Sequence, residues 1–230
     1  MSAFEQVKSV MFDLDNTLIV RRLSLEKLAH YITRFFFRGQ EERHVQIRDQ
    51  FCTCFISGYD RRAECFEQFK QISGMEPSVD YKRFLEMWSF YYPFSTICDP
   101  DVQVVRELRR RGYCVSILTN GQSVLQNAKI DVAGFRDWFS PVVISEEIGF
   151  EKPDVRAFQI ACGMTGFRPE QTAYVGDYGA NDIVGARNAG MPSIWYSAYM
   201  SWDDAIPRAD AEIGSLQELL ELFPSANRSI

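Results

Sequence analysis

Short apolar runs alternate with helix-period segments along most of this chain, and that alternation limits the fold more than any other feature. The runs are residues 7–13, 113–118, 142–144, 172–175 and 193–196, and helical periodicity fills the stretches near 100–111, 122–131, 154–164, 181–189 and 215–222. Strands separated by helices imply crossover connections and a parallel sheet. Right-handed crossovers then bring the C-terminal end of every strand to one edge of that sheet. The class predicted is α/β.

One stretch interrupts the pattern. Residues 18–94 contain no convincing strand, and apolar residues recur there at helical spacing, as in Leu25, Leu28, Tyr31, Ile32 and Phe35. Further helix-period segments lie near 41–56, 61–72 and 79–91, with Gly58 and Ser73-Gly74 as breaks. So much helix between the first two strands exceeds what a crossover needs. It predicts an inserted α-helical domain over 18–94, with 1–17 and 95–230 forming the main domain. The insert is rich in aromatics, which its helical period assigns to a bundle core. Arg21 and Arg22 stand at its first hinge, where they are candidates to meet an anion.

Composition removes several classes. Of the 230 residues, 46% are hydrophobic and 24% charged, which is ordinary for a globular chain. A net charge of −6 attracts phosphate backbones poorly, so no nucleic-acid partner is expected. No apolar run approaches the roughly 20 residues that span a bilayer, and no membrane association is expected. Met1 to Lys8 has no basic region followed by an apolar stretch, so no secretory signal is read there. The six cysteines form no C-x-x-C pair and are expected as reduced thiols in a cytoplasmic protein. His30 and His44 are too few and too isolated for a histidine zinc site.

The polar residues at the strand ends carry the chemistry. The first run ends in Asp13-Leu14-Asp15-Asn16-Thr17. Two carboxylates two residues apart on extended backbone project to one side, and such crowding calls for a cation or a shared proton. A hard divalent ion such as Mg²⁺ takes carboxylate oxygens and keeps positions open for substrate. The second run ends in Thr119-Asn120-Gly121 before a helix, where a hydroxyl, an amide and free N–H groups make an anion cradle. Lys152 precedes Pro153, which fits position N1 of the next helix and would hold the ammonium just outside it. The fourth run leads into Gly176-Asp177, with Asp182 five residues further on, a second acidic pair suited to finishing a metal site. Each motif alone is an ordinary turn or cap. Their convergence on one sheet edge, where open parallel sheets bind ligands, is what sets them apart.

With all four groups in order over residues 7–222, the sequence resembles the haloacid dehalogenase-like hydrolase superfamily, in its phosphatase branch with an α-helical C1-type cap. The resemblance implies a Rossmann-like three-layer core with a central parallel sheet, and it makes the insert a cap that closes over the core. It implies that Asp13 is the nucleophile, giving an aspartyl-phosphate, and that Asp15 protonates the leaving alcohol and later activates water. Thr119 and the backbone at Asn120 and Gly121 would hold the phosphoryl oxygens. Lys152 would orient Asp13 and offset negative charge. Mg²⁺ would be held by Asp13, Asp177 and the backbone carbonyl of Asp15, with Asp182 supporting. Asp15 favours phosphoryl transfer, because a halide leaving group needs no acid. The expected substrate is a small phosphorylated metabolite such as a nucleotide, sugar phosphate or phospho-acid. A phosphomutase and a catalytically silent binding module are the alternatives, and monomer and homodimer both stay open. Tyr178, beside Asp177, departs from the small polar residue usual in the family and bears on substrate size.

Overall fold

The computed structural model describes residues 3–56 and 61–225. The chain divides into two compact units, Met1–Ile19 with Cys98–Ile230, and Val20–Ile97. In chain order the elements are β1 (Ser9–Phe12), α1 (Arg21–Phe36), α2 (His44–Phe55), α3 (Arg62–Ser73), α4 (Tyr81–Tyr91), α5 (Val104–Arg110), β2 (Cys114–Thr119), α6 (Ser123–Ala133), β3 (Val142–Ile144), α7 (Ser145–Ile148), α8 (Val155–Thr165), β4 (Thr172–Gly176), α9 (Val184–Asn188), β5 (Ser193–Tyr196), β6 (Ala211–Ile213) and α10 (Leu219–Leu222).

In the first unit the six strands form one parallel sheet in the order β3-β2-β1-β4-β5-β6. Every residue of β1 is buried, as a strand covered on both faces requires. Because successive side chains point to opposite faces, one strand feeds two cores. Val10 and Phe12 pack with Val105, Leu108, Ile130 and Phe135 on one face, while Met11 packs with Leu118, Phe158, Ala161 and Ala186 on the other. The result is the three-layer, Rossmann-like α/β architecture expected from the sequence. β6 was not among the predicted strands: its three residues, Ala-Glu-Ile, are too short to show a period.

The strand order places β1 and β4 side by side, with the chain building outward from them in both directions. Their C-terminal ends are the topological switch point, where such sheets leave a crevice. The register aligns Phe12 with Val175, and the Asp13 N–H extends the ladder to the Val175 carbonyl at 2.9 Å. Asp13 thus comes level with Gly176, and Asp177 leaves the adjacent strand one residue further on.

The second unit is helical. Leu25, Leu28, Ala29 and Ile32 form the buried stripe of α1. They share a core with Phe51, Phe55, Phe66, Phe69, Phe84 and Trp88. Within it Phe51 meets Phe69 edge to face at 5.4 Å and Phe55 stacks on Phe84 at 5.5 Å. Arg21 departs from its expected role: it is buried, and its guanidinium donates to the carbonyls of Phe55 and Ile56 that end α2. The last carbonyls of a helix call for donors from outside it, and this buried cation supplies them. Arg22 is exposed and pairs with Glu26 one turn on, at 3.0 Å.

Candidate active site

Immediately after β1 the chain turns tightly. The Leu14 carbonyl accepts from the N–H groups of Leu18 and Ile19, and Asn16 takes a left-handed φ of 58°. An Asn tolerates that conformation where most residues do not. The turn sends the two carboxylates of the motif to different cations. Asp13 Oδ1 accepts from Lys152 Nζ at 2.6 Å. Asp15 accepts from Lys129 Nζ on α6, at 2.9 Å and 2.7 Å to its two oxygens.

Lys152 is held through its backbone. Its N–H donates to Asn120 Oδ1 at 2.8 Å, and Asn120 Nδ2 returns a bond to the Lys152 carbonyl at 2.9 Å. This corrects two expectations. The Asn120 amide is spent on positioning Lys152 and is not part of an anion cradle. Pro153 is not at N1 of the helix either, because Asp154 caps α8 by accepting from the Arg156 N–H and the helix begins at Val155. A side-chain amide can reproduce both halves of a backbone pair, which fixes a loop more firmly than a proline preference does.

The buried ammonium of Lys152 has three oxygen partners: Asp13, Asp182 Oδ1 at 2.7 Å and the Tyr174 hydroxyl at 2.8 Å. The Tyr174 hydroxyl in turn donates a hydrogen bond to the Leu118 carbonyl at 2.9 Å. Asp182 Oδ2 accepts from the Tyr178 N–H at 3.0 Å. That carboxylate lies against the end of β4 because residue 176 is glycine; a Cβ there would sit 2.4 Å from Asp182 Oδ2. Asp182 belongs to a π-helical turn, Gly179–Ile183, that re-aims the chain before α9. Asn16 lies beside the Asp177 carboxylate and favours its charged form, yet the buried Asp177 Oδ2 has no hydrogen-bond partner among the described residues.

Oxygens of Asp13, Asp177 and Asp182 all lie within 4.8 Å of one another. Two of these carboxylates, Asp13 and Asp182, share one buried ammonium, and Asp177 adds a third negative group beside them. Burial raises the Asp13 carboxyl to about 7, against the pull of Lys152. Burial, then the carboxylates of Asp182 and Asp13, pushes Asp177 well above the usual carboxylate range. For Lys152 burial works against the charge, and Asp13 and Asp182 outweigh it, so the ammonium persists above its ordinary range. Such an electron-rich cluster with an orphaned carboxylate oxygen binds either a proton or a hard cation. Carboxylate oxygens gathered this closely are the donors a hard divalent ion such as Mg²⁺ takes.

At the end of β2, Thr119 Oγ1 accepts from Gln126 Nε2 at 2.7 Å. The Gly121 N–H donates to Ser145 Oγ, past the end of β3, at 3.0 Å. Gly121 has a φ of +135°, open to glycine alone, and its Cα faces the Gln126 side chain. Asp13, Lys152, Asp177 and Asp182 are therefore one cluster, and Asp15 is tied to Thr119 through Gln126. Tyr174, Gln126, Lys129 and Ser145 were not singled out from the sequence. The only signal for Gln126 and Lys129 was their spacing of three on one helix face, which also fits a solvated face.

Comparison with known proteins accords with this geometry. A family model for haloacid dehalogenase-like hydrolases matches residues 7–190. The chain is 40% identical over 205 residues to glyceraldehyde 3-phosphate phosphatase of Methanothermobacter thermautotrophicus, covering 82% of this chain and 84% of that one. It is 41% identical over 113 residues to phosphoserine phosphatase of Thermus thermophilus, a match covering 49% of this chain and 45%, about half, of that relative. The crystal structure of the HAD-hydrolase YfnB from Bacillus subtilis, bound to magnesium, superposes with a TM-score of 0.74 at 22% identity, covering 96% of this chain and all of that one. The chain belongs to the haloacid dehalogenase-like hydrolase family.

Proposed function

We propose that this haloacid dehalogenase-like phosphatase hydrolyses small phosphomonoesters in two phosphoryl transfers through Asp13. In the first, an Asp13 oxygen attacks phosphorus as the bond to the leaving oxygen breaks, and Asp15 gives that oxygen a proton. In the second, water attacks the phosphorus of the aspartyl-phosphate, Asp15 takes the proton from water, and the bond to Asp13 breaks. The Thr119 hydroxyl accepts from Gln126 and donates only a long bond of 3.4 Å to the Asn120 carbonyl, a proton it can turn to a phosphoryl oxygen. The backbone N–H of Asn120 serves the same anion, and for the Gly121 N–H that anion displaces Ser145. Lys152 fixes Asp13 and lowers the cost of bringing a phosphate dianion to a carboxylate.

The residues fit Mg²⁺. Asp13 and Asp177 would supply carboxylate oxygens, and the Asp15 carbonyl a third. Asp182, with one oxygen on Lys152 and the other on the Tyr178 N–H, holds the frame. The ion supplies charge stabilisation to the phosphoryl group as it transfers. The observation that carries the proposal is the buried Asp13–Lys152–Asp182 pairing beside the unpartnered Asp177 oxygen.

The first test is phosphate release from a panel containing glyceraldehyde 3-phosphate, phosphoserine, a nucleoside monophosphate and p-nitrophenyl phosphate. Release that requires Mg²⁺ and stops with EDTA is expected. A sugar phosphate isomerised without net phosphate release would mark a mutase, and no turnover of any compound by folded, metal-loaded protein would mark a binding module.

A further inference from the structure

The ion pair between Asp15 and Lys129 has no place in the scheme above. Lys129 lies on α6, one turn past Gln126, and both are buried, each under one-twentieth exposed. Lys129 Nζ reaches both Asp15 oxygens, and Gln126 Nε2 reaches Asp15 Oδ2 at 3.3 Å, Thr119 Oγ1 at 2.7 Å and the Asn120 carbonyl at 3.1 Å. A desolvated lysine is costly to retain on a helix face unless it is paired, and here the pair is the carboxyl group that handles protons. Residues three apart on a helix share a face, so α6 presents one amide and one ammonium together to the end of β1 and the end of β2.

We propose that Lys129 and Gln126 are positioning residues that set the Asp15 carboxyl for both proton transfers and lock it to the phosphate-holding Thr119. This rests on the assignment of Asp15 as acid and base. In the first transfer Asp15 becomes a carboxylate as its proton passes to the leaving oxygen, and the Lys129 ammonium, unchanged, lies against the charge that develops. In the second the same carboxylate is already aimed when water loses its proton. A rotatable Asp on a turn loses rate with small misplacements, so a fixed partner matters.

The test compares substrates that differ in their need for the acid. An aryl leaving group such as p-nitrophenolate departs with little help, whereas an alkyl alkoxide requires a proton. Single-turnover phosphorylation is measured with p-nitrophenyl phosphate and with the fastest alkyl monoester of the panel, in the wild type, Asp15→Asn, Lys129→Met, Lys129→Arg and the double variant D15N/K129M. Asp15→Asn comes first: if it slows alkyl and aryl substrates equally, the acid assignment itself fails. Given the alkyl bias in Asp15→Asn, Lys129→Met is expected to slow the alkyl substrate at least about thirtyfold more than the aryl one. Lys129→Arg is expected to restore most of that difference, because it returns a cation to the same carboxylate. The double variant is expected to be no slower than Asp15→Asn within about threefold, since the lysine acts through the aspartate. Equal losses on both substrates in Lys129→Met, or losses that multiply in the double variant, would overturn the proposal and make Lys129 a packing residue. Should Lys129→Met fail to fold, Lys129→Gln carries the same comparison: a loss biased to the alkyl substrate is expected, and equal losses on both substrates would overturn the proposal.

Discussion

Asp13→Asn is expected to lower turnover at least about 10⁴-fold, the scale of loss when the nucleophile of a covalent mechanism is removed. The side chain keeps its shape and can still meet Lys152, but an amide oxygen does not displace a leaving alcohol from phosphorus. Folding is expected to survive. Burial raises the Asp13 carboxyl to about 7, so its charge at pH 8 is held at a cost to the folded chain. A neutral amide therefore suits the site, and the metal-free variant should melt no lower than the wild type at pH 8. Thermal unfolding and steady-state rates on the same preparation check both halves. Turnover within tenfold of the wild type would remove Asp13 as nucleophile.

Lys152→Ala is expected to damage stability and rate together. The ammonium is the buried cation that links Asp13 and Asp182. Removing one partner of a buried ion pair costs about 3–5 kcal/mol, because the other charges stay desolvated. In a chain of this size that is a fall in Tm of roughly 10 °C or more. The rate should fall by about 10³-fold or more, beyond what one electrostatic contact in an oxyanion site supplies.

The stability deficit should also depend on pH with a definite sign. A carboxyl whose folded pKa is raised keeps a proton that the unfolded chain releases, so its contribution to stability is lost as pH rises from the unfolded to the folded value. In the wild type that loss for Asp13 runs between about 4 and 7. Lys152 pulls the Asp13 value down, so without it the window extends higher. The deficit of Lys152→Ala should be smaller at pH 5 than at pH 8. Urea unfolding at the two values measures it, and a deficit independent of pH would contradict the electrostatic account.

The parts of this architecture visible in the sequence are those written in local pattern. Continuous apolar runs reported strands buried on both faces, and the polar residues just beyond Phe12, Leu118 and Val175 reported the sheet edge where the buried carboxylates gather. The long strandless interval reported a helical segment because amphipathic spacing is a local property. What stayed hidden depended on partners far away in the chain. Tyr174 is an interior strand residue by pattern, and only the pairing of β4 with β1 reveals that its hydroxyl joins Lys152 to Leu118. Asn120 binds backbone 32 residues later, and Lys129 meets a carboxylate 114 residues earlier, so no window along the chain contains either contact. Arg21, placed by the pattern at the first hinge, reads as available to an anion, whereas its guanidinium is buried on the carbonyls at the end of α2. The same topology that converges the motifs also converges these unrecognised residues, and one face of α6 accounts for two of them.

The covalent intermediate on Asp13 is the central claim, and acid quenching of an early time point with ³²P-labelled p-nitrophenyl phosphate tests it most directly. Protein-bound label that hydroxylamine releases, that maps to the peptide carrying Asp13, and that is absent from Asp13→Asn is the expected result. Phosphate release at full rate with no label on Asp13 at any time, in a Lys129→Met background chosen to slow the second transfer as well as in the wild type, would contradict it.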